Sequence, residues 1–346
     1  MLKWLKRILL GIVALAVFAV AGGTIYEQIA RSNARATYKP AGKLVDIGGR
    51  KMHLDCRGGG TPTVVLEAGL DSNGSLAWSS VHDELAAISR TCAYDRAGIM
   101  WSEPKSTPQD GEAVATDLHK LLAASGEKGP FVMAGHSLGG PYLMNYTRLY
   151  GDEVAGLVFV DASHADQFQR FKAAGLPMPE MSSGLPQLLA ATSWSGVLRL
   201  LMPSSAQPGF PAEAAAASRA YIGTSFGSAM KEAEALDRIM AQGGKLRALG
   251  DRPLVVLTAA KPMPKEIREQ IGFTEANAAT QARLWKQLHE EEASWSTRSR
   301  HEIVPDAGHY IQFDRPDVVI RAVRDVVGQV RAGRPDVAIP GQRAAA

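Results

Sequence analysis

Cysteine is scarce in this chain, with two among 346 residues, and its eight histidines are scattered without the spacing of metal ligands. A metal site is therefore not expected, and nothing in the pattern asks for a cofactor. Charge of one sign is lacking too. The formal net charge is +3, and no basic run is interleaved with aromatics, which excludes nucleic acid as an expected partner. What remains is ordinary globular material, 46% hydrophobic and 21% charged. That suits one large α/β domain with an insertion, or two domains.

One long uncharged run stands out. Met1 to Arg7 is basic, and Ile8 through Tyr26 carries no charge, roughly 19 residues and enough to cross a bilayer. Ala19-Val20-Ala21 has the small residues of a signal-peptidase site, so secretion after cleavage is one reading. The run continues to Ile25 and Tyr26, longer than most signal cores, and this favours an uncleaved anchor over residues 1–26. Lys3, Lys6 and Arg7 place the short end in the cytoplasm and the rest of the chain on the extracytoplasmic side. Arg31, Arg35 and Lys39 on the other flank dilute that asymmetry. Residues 27–42 are polar and mixed, punctuated by Pro40-Ala41-Gly42, and read as a linker.

Beyond the linker the pattern alternates between strands and helices. Lys43–Ile47 and Arg50–Cys56 form a hairpin through Gly48-Gly49. Thr63–Glu67 is a nearly continuous apolar run, as a central parallel strand requires. Trp78–Ile88 has helical spacing, Thr91–Asp95 is a strand, and Glu112–Ala124 is an amphipathic helix. Phe131–Ala134 is a short buried strand, and Pro141–Tyr146 opens a helix. Between them lies Gly135-His136-Ser137-Leu138-Gly139-Gly140. A strand that becomes a helix in one step strains its central residue, and glycines two positions either side of Ser137 remove colliding Cβ atoms. The hydroxyl is thereby held above the helix N-terminus, where backbone N–H groups, Leu138 first, can bind a developing oxyanion. Leu157–Val160 is a further strand, ending at Asp161. From 165 to 250 no strand pattern occurs. Pro253–Leu257 and Glu302–Val304 resume the sheet, Asp317–Val330 closes as an amphipathic helix, and residues 331–346 read as a disordered tail.

The glycine-flanked serine resembles the nucleophile elbow of the α/β-hydrolase superfamily, on its serine esterase and proline iminopeptidase side. The likeness continues through Asp95-Arg96-Ala97-Gly98 and Gly308-His309, and covers about Lys43 to Val330. It implies an α/β-hydrolase fold: a mostly parallel eight-stranded sheet flanked by helices, formed by residues 43–164 and 251–330, with a helical cap inserted over 165–250. In that fold the strands holding Cys56 and Cys92 lie side by side, which makes a disulfide possible; two buried free thiols are the alternative. The turn after the fourth strand usually reads D-R-x-G-x-G-x-S, and Met100 replaces its second glycine. Asp95 is expected to cap this turn or pair with Arg96.

The resemblance also assigns roles. Ser137 is the nucleophile and His309, just past the last strand, its general base. His301 stands at the wrong end of that strand, and His136 points away from the reactive side in the family pattern. Ala68-Gly69 occupies the place of a family His-Gly pair, so Leu70 supplies the second oxyanion N–H beside Leu138. No carboxylate lies in Thr258–Lys265, where most relatives carry the acid. Relatives that carry it after the sixth strand point to Asp161, with Glu266 and then Glu269 as alternatives. In the cap, Phe168, Phe171, Leu176, Met178, Met181, Leu188 and Trp194 either line a hydrophobic acyl pocket or pack the cap onto the core. The expected activity is hydrolysis of a hydrophobic carboxylic ester through an acyl-enzyme, with no cofactor. Amide or peptide hydrolysis and acyl transfer are its rivals. A membrane-anchored binding protein with an incomplete triad is the alternative outside catalysis.

Overall fold

The structure, a computed structural model, describes residues 2–177, 184–202 and 209–333. Helix α1 (Leu2–Thr37) precedes a sheet of eight strands: β1 (Lys43–Asp46), β2 (Lys51–Arg57), β3 (Val64–Glu67), β4 (Thr91–Tyr94), β5 (Phe131–His136), β6 (Val154–Val160), β7 (Leu254–Ala259) and β8 (Ser299–Val304). Their order across the sheet is β1-β2-β4-β3-β5-β6-β7-β8. The β1–β2 and β2–β4 pairs are antiparallel and the other pairs parallel.

Alternation along the central strands explains why both faces are covered, since successive side chains point to opposite sides. Val64, Leu66, Val132, Ala134, Val158, Val160, Val255 and Leu257 pack on one face with the valine-rich last helix. Val65, Phe131, Met133, Leu157, Phe159, Leu254 and Val256 pack on the other, against the two helices that flank β5 in sequence. Those two helices are α3 (Gly111–Ser125) and α4 (Gly139–Leu149); α2 (His82–Ile88) precedes them and packs its Leu85 on the first face. Gly74–Trp78 forms a separate 3-10 turn before α2, so the helix expected from Trp78 onward starts later.

Between β6 and β7 the chain forms α5 (Gln167–Ala173), α6 (Leu185–Ala191), a 3-10 turn at Ser193–Ser195, α7 (Val197–Leu201), α8 (Ala212–Glu234) and α9 (Leu236–Gly243). After β7 come α10 (Lys265–Gln270) and α11 (Glu275–Ala293), then α12 (Ile311–Asp314) and α13 (Pro316–Ala332) beyond β8. Met178, Met181 and residues 334–346 lie outside the described residues.

Two expectations need correcting. Residues 27–37 are not a linker: they continue α1 without a break, because no proline or glycine interrupts them and one face is occupied by cap residues. Asp95 takes the capping role of the two expected, its Oδ2 accepting the Trp101 N–H at 3.3 Å, and does not pair with Arg96. Its Oδ1 accepts the N–H of Ser75 at 2.7 Å, and its Oδ2 lies 2.8 Å from His53 Nδ1.

Cys56 and Cys92 are opposite one another on β2 and β4 and are joined as a disulfide, with Cα atoms 4.0 Å apart and a separation of 36 in sequence. A cross-link closing a loop of this size stabilises by about 2–4 kcal/mol through the unfolded chain. The Cys56→Ala/Cys92→Ala variant should therefore show a lower denaturant midpoint than the oxidised protein, and the wild type, denatured without reductant, should titrate no free thiol.

Candidate active site

Ser137 sits between the end of β5 and the start of α4 with φ of 52°, a left-handed conformation costly for a residue with a side chain. The crowding explains the flanking glycines. A Cβ on Gly135 would come within 2.8 Å of the Gly139 backbone, and one on Gly139 within 2.7 Å of the Glu67 carbonyl oxygen. Asp161, directly after β6, is likewise left-handed at φ 46°, as is Met100 at φ 44°. Met100 thus keeps the backbone conformation that a glycine would adopt freely, and its N–H donates to Ser225 Oγ on α8 at 2.8 Å.

The structure brings Ser137, His309 and Asp161 together. Ser137 Oγ lies 3.0 Å from His309 Nε2, and His309 Nδ1 lies 2.7 Å from Asp161 Oδ2. The carboxylate beyond Nδ1 places the ring proton there, leaving Nε2 to accept from the serine hydroxyl. The other oxygen of Asp161, Oδ1, accepts from Ala259 N–H and from Trp285 Nε1–H, each at 2.8 Å. Burial opposes the charge on Asp161, but the hydrogen bond and positive field of His309, with help from Trp285, hold its carboxyl below the usual range. The imidazole itself is exposed while Asp161 is buried. Glu266 and Glu269 lie exposed on α10, and Glu269 faces Lys265 across 3.8 Å. Of the three candidate carboxylates, Asp161 alone makes a hydrogen bond to His309 among the described residues.

Leu138 is the residue before α4, so its N–H belongs to the unpaired donors of a helix N-terminus. Leu70 follows Gly69, where a Cβ would press to within 2.8 Å of Ser137 Cβ; the loop therefore runs directly against the elbow. Arg96 holds that loop by its carbonyls, donating to Ala68 at 2.9 Å and to Gly69 at 2.7 Å. The same guanidinium pairs with Glu67 and with Glu232 of α8, both at 2.8 Å. Burial raises the Glu67 carboxyl to about 7 against the pull of Arg96, and the Tyr94 hydroxyl donates to it.

Several contributors were not legible in the sequence. Trp285 had no signal, because α11 sits in a stretch with no motif. Glu232 reads as an ordinary charge on an alanine-rich helix. His136 does not point away: its Nε2–H donates to the His309 carbonyl at 2.9 Å, and the two rings lie 4.7 Å apart. Of the cap residues, Phe171 and Leu176 are buried against Leu288, and Phe168 packs beside Leu70, Leu138 and Tyr142. Leu188 and Trp194 are exposed. A cavity of about 1050 Å³ lined by Arg31, Met100, Trp101, Trp194 and Tyr221 lies elsewhere, and none of Ser137, Asp161 and His309 lines it. The acidic members of the His164, Asp166 and Glu291 cluster are paired with Arg170 and Arg247, which leaves them poorly disposed to a cation.

Burial, reinforced by the charge of His309, lowers the His136 pKa to about 3. Unfolded, it would titrate near 6.5, so the unfolded state binds the extra proton and stability falls as pH drops from 6.5 towards 3. His136→Gln removes this dependence. Between pH 6.5 and 5 the wild type should lose about 2 kcal/mol more than the variant, measured by denaturant unfolding in detergent; parallel curves would show that His136 is not held neutral.

Among curated proteins, the chain is 25% identical over 175 residues to an uncharacterized protein, YbdG, of Bacillus subtilis, covering 50% of this chain and 54% of the relative. It spans about half the length of the curated relatives it matches first. Among solved structures it resembles a thermophilic esterase from Thermogutta terrifontis, with TM-score 0.57 and 21% identity over 83% of this chain and 98% of that one. It also resembles a putative epoxide hydrolase from Pseudomonas aeruginosa, with TM-score 0.59 and 16% identity over 84% and 96% of the two chains. Likeness at such identity speaks for the fold alone. A family model described as "Alpha/beta hydrolase family" matches residues 58–322, a span that contains Ser137, Asp161 and His309, and the chain belongs to that family.

Proposed function

We propose that the protein is a serine hydrolase that cleaves a hydrophobic carboxylic ester through an acyl-enzyme. The observation that carries the reading is the continuous relay from Ser137 Oγ through His309 to Asp161, at 3.0 and 2.7 Å. His309 accepts the serine proton as Oγ attacks the acyl carbonyl, and Asp161 stabilises the imidazolium that forms. The negative charge on the carbonyl oxygen falls to the backbone N–H groups of Leu138 and Leu70. His309 then returns its proton to the leaving alcohol. Water, deprotonated in turn by His309, releases the acid and regenerates the serine.

A serine elbow does not suit an epoxide, which family members open with an aspartate. Phe168 and Leu70, each packed against the cluster of Leu138 and Tyr142 beside the elbow, favour an apolar acyl group, and among the described residues no acidic cluster in the cap suggests a peptide amine. The carboxylate reaching His309 from the end of β6 supports a working triad over an inactive binding module. Helix α1 has the length and apolar character of a membrane span and supports an anchored protein. The Cys56–Cys92 bond and the basic Lys3, Lys6 and Arg7 support placing the domain on the extracytoplasmic side.

The test is turnover of p-nitrophenyl esters of increasing chain length by the detergent-solubilised full chain. Ser137→Ala should abolish it together with labelling by a fluorophosphonate. Wild-type protein that neither turns over nor labels would refute a catalytic site, whereas labelling without turnover would retain the machinery and reject the ester class. Asp161→Asn should lower kcat on the order of 10³–10⁴-fold, and a loss of only a few-fold would remove Asp161 from the relay. Gly69→Ala, which forces a methyl against Ser137 Cβ, should cost about 10²-fold in kcat by displacing the Leu70 donor; unchanged kcat would place the second donor elsewhere.

A further inference from the structure

The outer end of α1 is built into the cap. Gly23, Thr24, Glu27, Ala30, Arg31 and Ala34 form a stripe that is buried or half-buried, at helical spacing, on an otherwise exposed helix. Glu27 is fully buried between two guanidinium groups. Arg31 Nε donates to it at 2.7 Å, and Arg199 of α7 donates through Nε at 2.6 Å and Nη2 at 3.2 Å. Both arginines reach on to α8, Arg31 to the Gly223 carbonyl and Arg199 to the Ala220 carbonyl, each at 2.8 Å. Gly223 is required there, because any Cβ would collide with the Glu27 carboxylate. A buried carboxylate left without these partners would be strongly destabilising, so α1, α7 and α8 move as one piece.

This weld fixes a depth. The uncharged run of α1 ends at Tyr26, and the 3-10 turn at Ser193–Ser195 packs on Gly23, about one helical turn (roughly 5 Å) inside the end of that run. If the run occupies the hydrocarbon of a bilayer, this turn of the cap lies at the boundary of headgroups and acyl chains. Its surface suits that position. Leu185 and Leu188 of α6, Trp194, and Leu200 and Leu201 of α7 are each between 47% and 74% exposed. Across residues 184–202 the one charged side chain is Arg199, which is already committed to Glu27. A water-facing surface of helices without a free charge is unusual, and a leucine- and tryptophan-rich face beside a membrane span is the composition of an interfacial element. Arg35 and Lys39, exposed farther along the chain, stand where anionic headgroups would meet them.

We propose that the cap segment Leu185–Leu201 is a second membrane contact, seated in the lipid interface beside α1. It rests on the reading of α1 as a retained membrane anchor and adds to it that the cap is held in the lipid surface.

The experiment uses the full chain in phosphatidylcholine/phosphatidylglycerol vesicles, with an environment-sensitive fluorophore at one introduced cysteine. The native pair, being bonded, does not react. Leu188→Cys and Leu200→Cys report the cap, and Val13→Cys reports the uncharged run of α1. Asp251→Cys, in the exposed loop before β7 at the opposite end of the strands, is the control. Lipids carrying a nitroxide near the headgroup should quench the labels at 188 and 200 by about twofold and leave 251 unchanged, as an interfacially buried face requires. Quenching at 13 with 188 and 200 behaving like 251 would overturn the proposal while keeping the anchor. No quenching at 13 either would overturn the anchor and the proposal with it. A response at 188 and 200 that follows protein density and not the nitroxide would assign the face to a second copy of the chain and likewise overturn the proposal.

Discussion

The site depends on one buried guanidinium. Arg96 uses all five of its N–H donors: Nε and Nη2 grip the two carboxylate oxygens of Glu232, Nη1 holds Glu67 and the Ala68 carbonyl, and Nη2 also holds the Gly69 carbonyl. Its plane lies 4.8 Å from the Tyr142 ring. No other side chain can fill five positions in this fork geometry. Through it the end of β3, the loop that carries Leu70 and the cap helix α8 share one electrostatic centre. Burial opposes the charge on Arg96, yet Glu232 and Glu67 hold it firmly protonated. Because a half-broken buried network costs about 3–5 kcal/mol, the loop and the cap cannot rearrange independently near Ser137.

Backbone strain is concentrated in the same region. Ser137, Asp161 and Met100 are the non-glycine residues with positive φ among those described, and they stand after β5, β6 and β4. Two of them, Ser137 and Asp161, hydrogen-bond to His309 and are held where the strands end by backbone hydrogen bonds to β6 and β7. Ser137 N–H reaches the Val160 carbonyl at 3.3 Å, and Asp161 N–H the Leu257 carbonyl at 2.9 Å. The sheet thus presents serine and carboxylate from adjacent strands, and the loop after β8 lowers His309 between them. His136, neutral in its buried position, supports that loop from below by its hydrogen bond to the His309 carbonyl.

Helix α1 joins this arrangement at its other end. The Glu27 cluster ties it to α7 and α8, and α8 carries Glu232. A single helix therefore receives α1 on one turn and the loop that carries Leu70, through Arg96, on another. The placement of α1 on the domain and the geometry of the site are set by the same scaffold.

The strands, the elbow and His309 could be read from the chain because their signals are local: apolar runs with period two, glycines either side of a serine, a histidine just past the last strand. The boundaries of the eight strands differ from the sequence reading by a few residues, since hydrogen-bond pairing decides where a strand stops. Local chemistry could not choose among Asp161, Glu266 and Glu269. That choice is made by the distance from His309, and β6 is brought beside the loop after β8 only by the folded sheet. Nor could it find Trp285, the partners of Arg96 or the docking of residues 27–37, which read as a polar linker because they are charged. Glu27 and Arg199, or Arg96 and Glu232, lie more than a hundred residues apart in sequence. Only folding brings such charges together, and only burial makes their pairing obligatory.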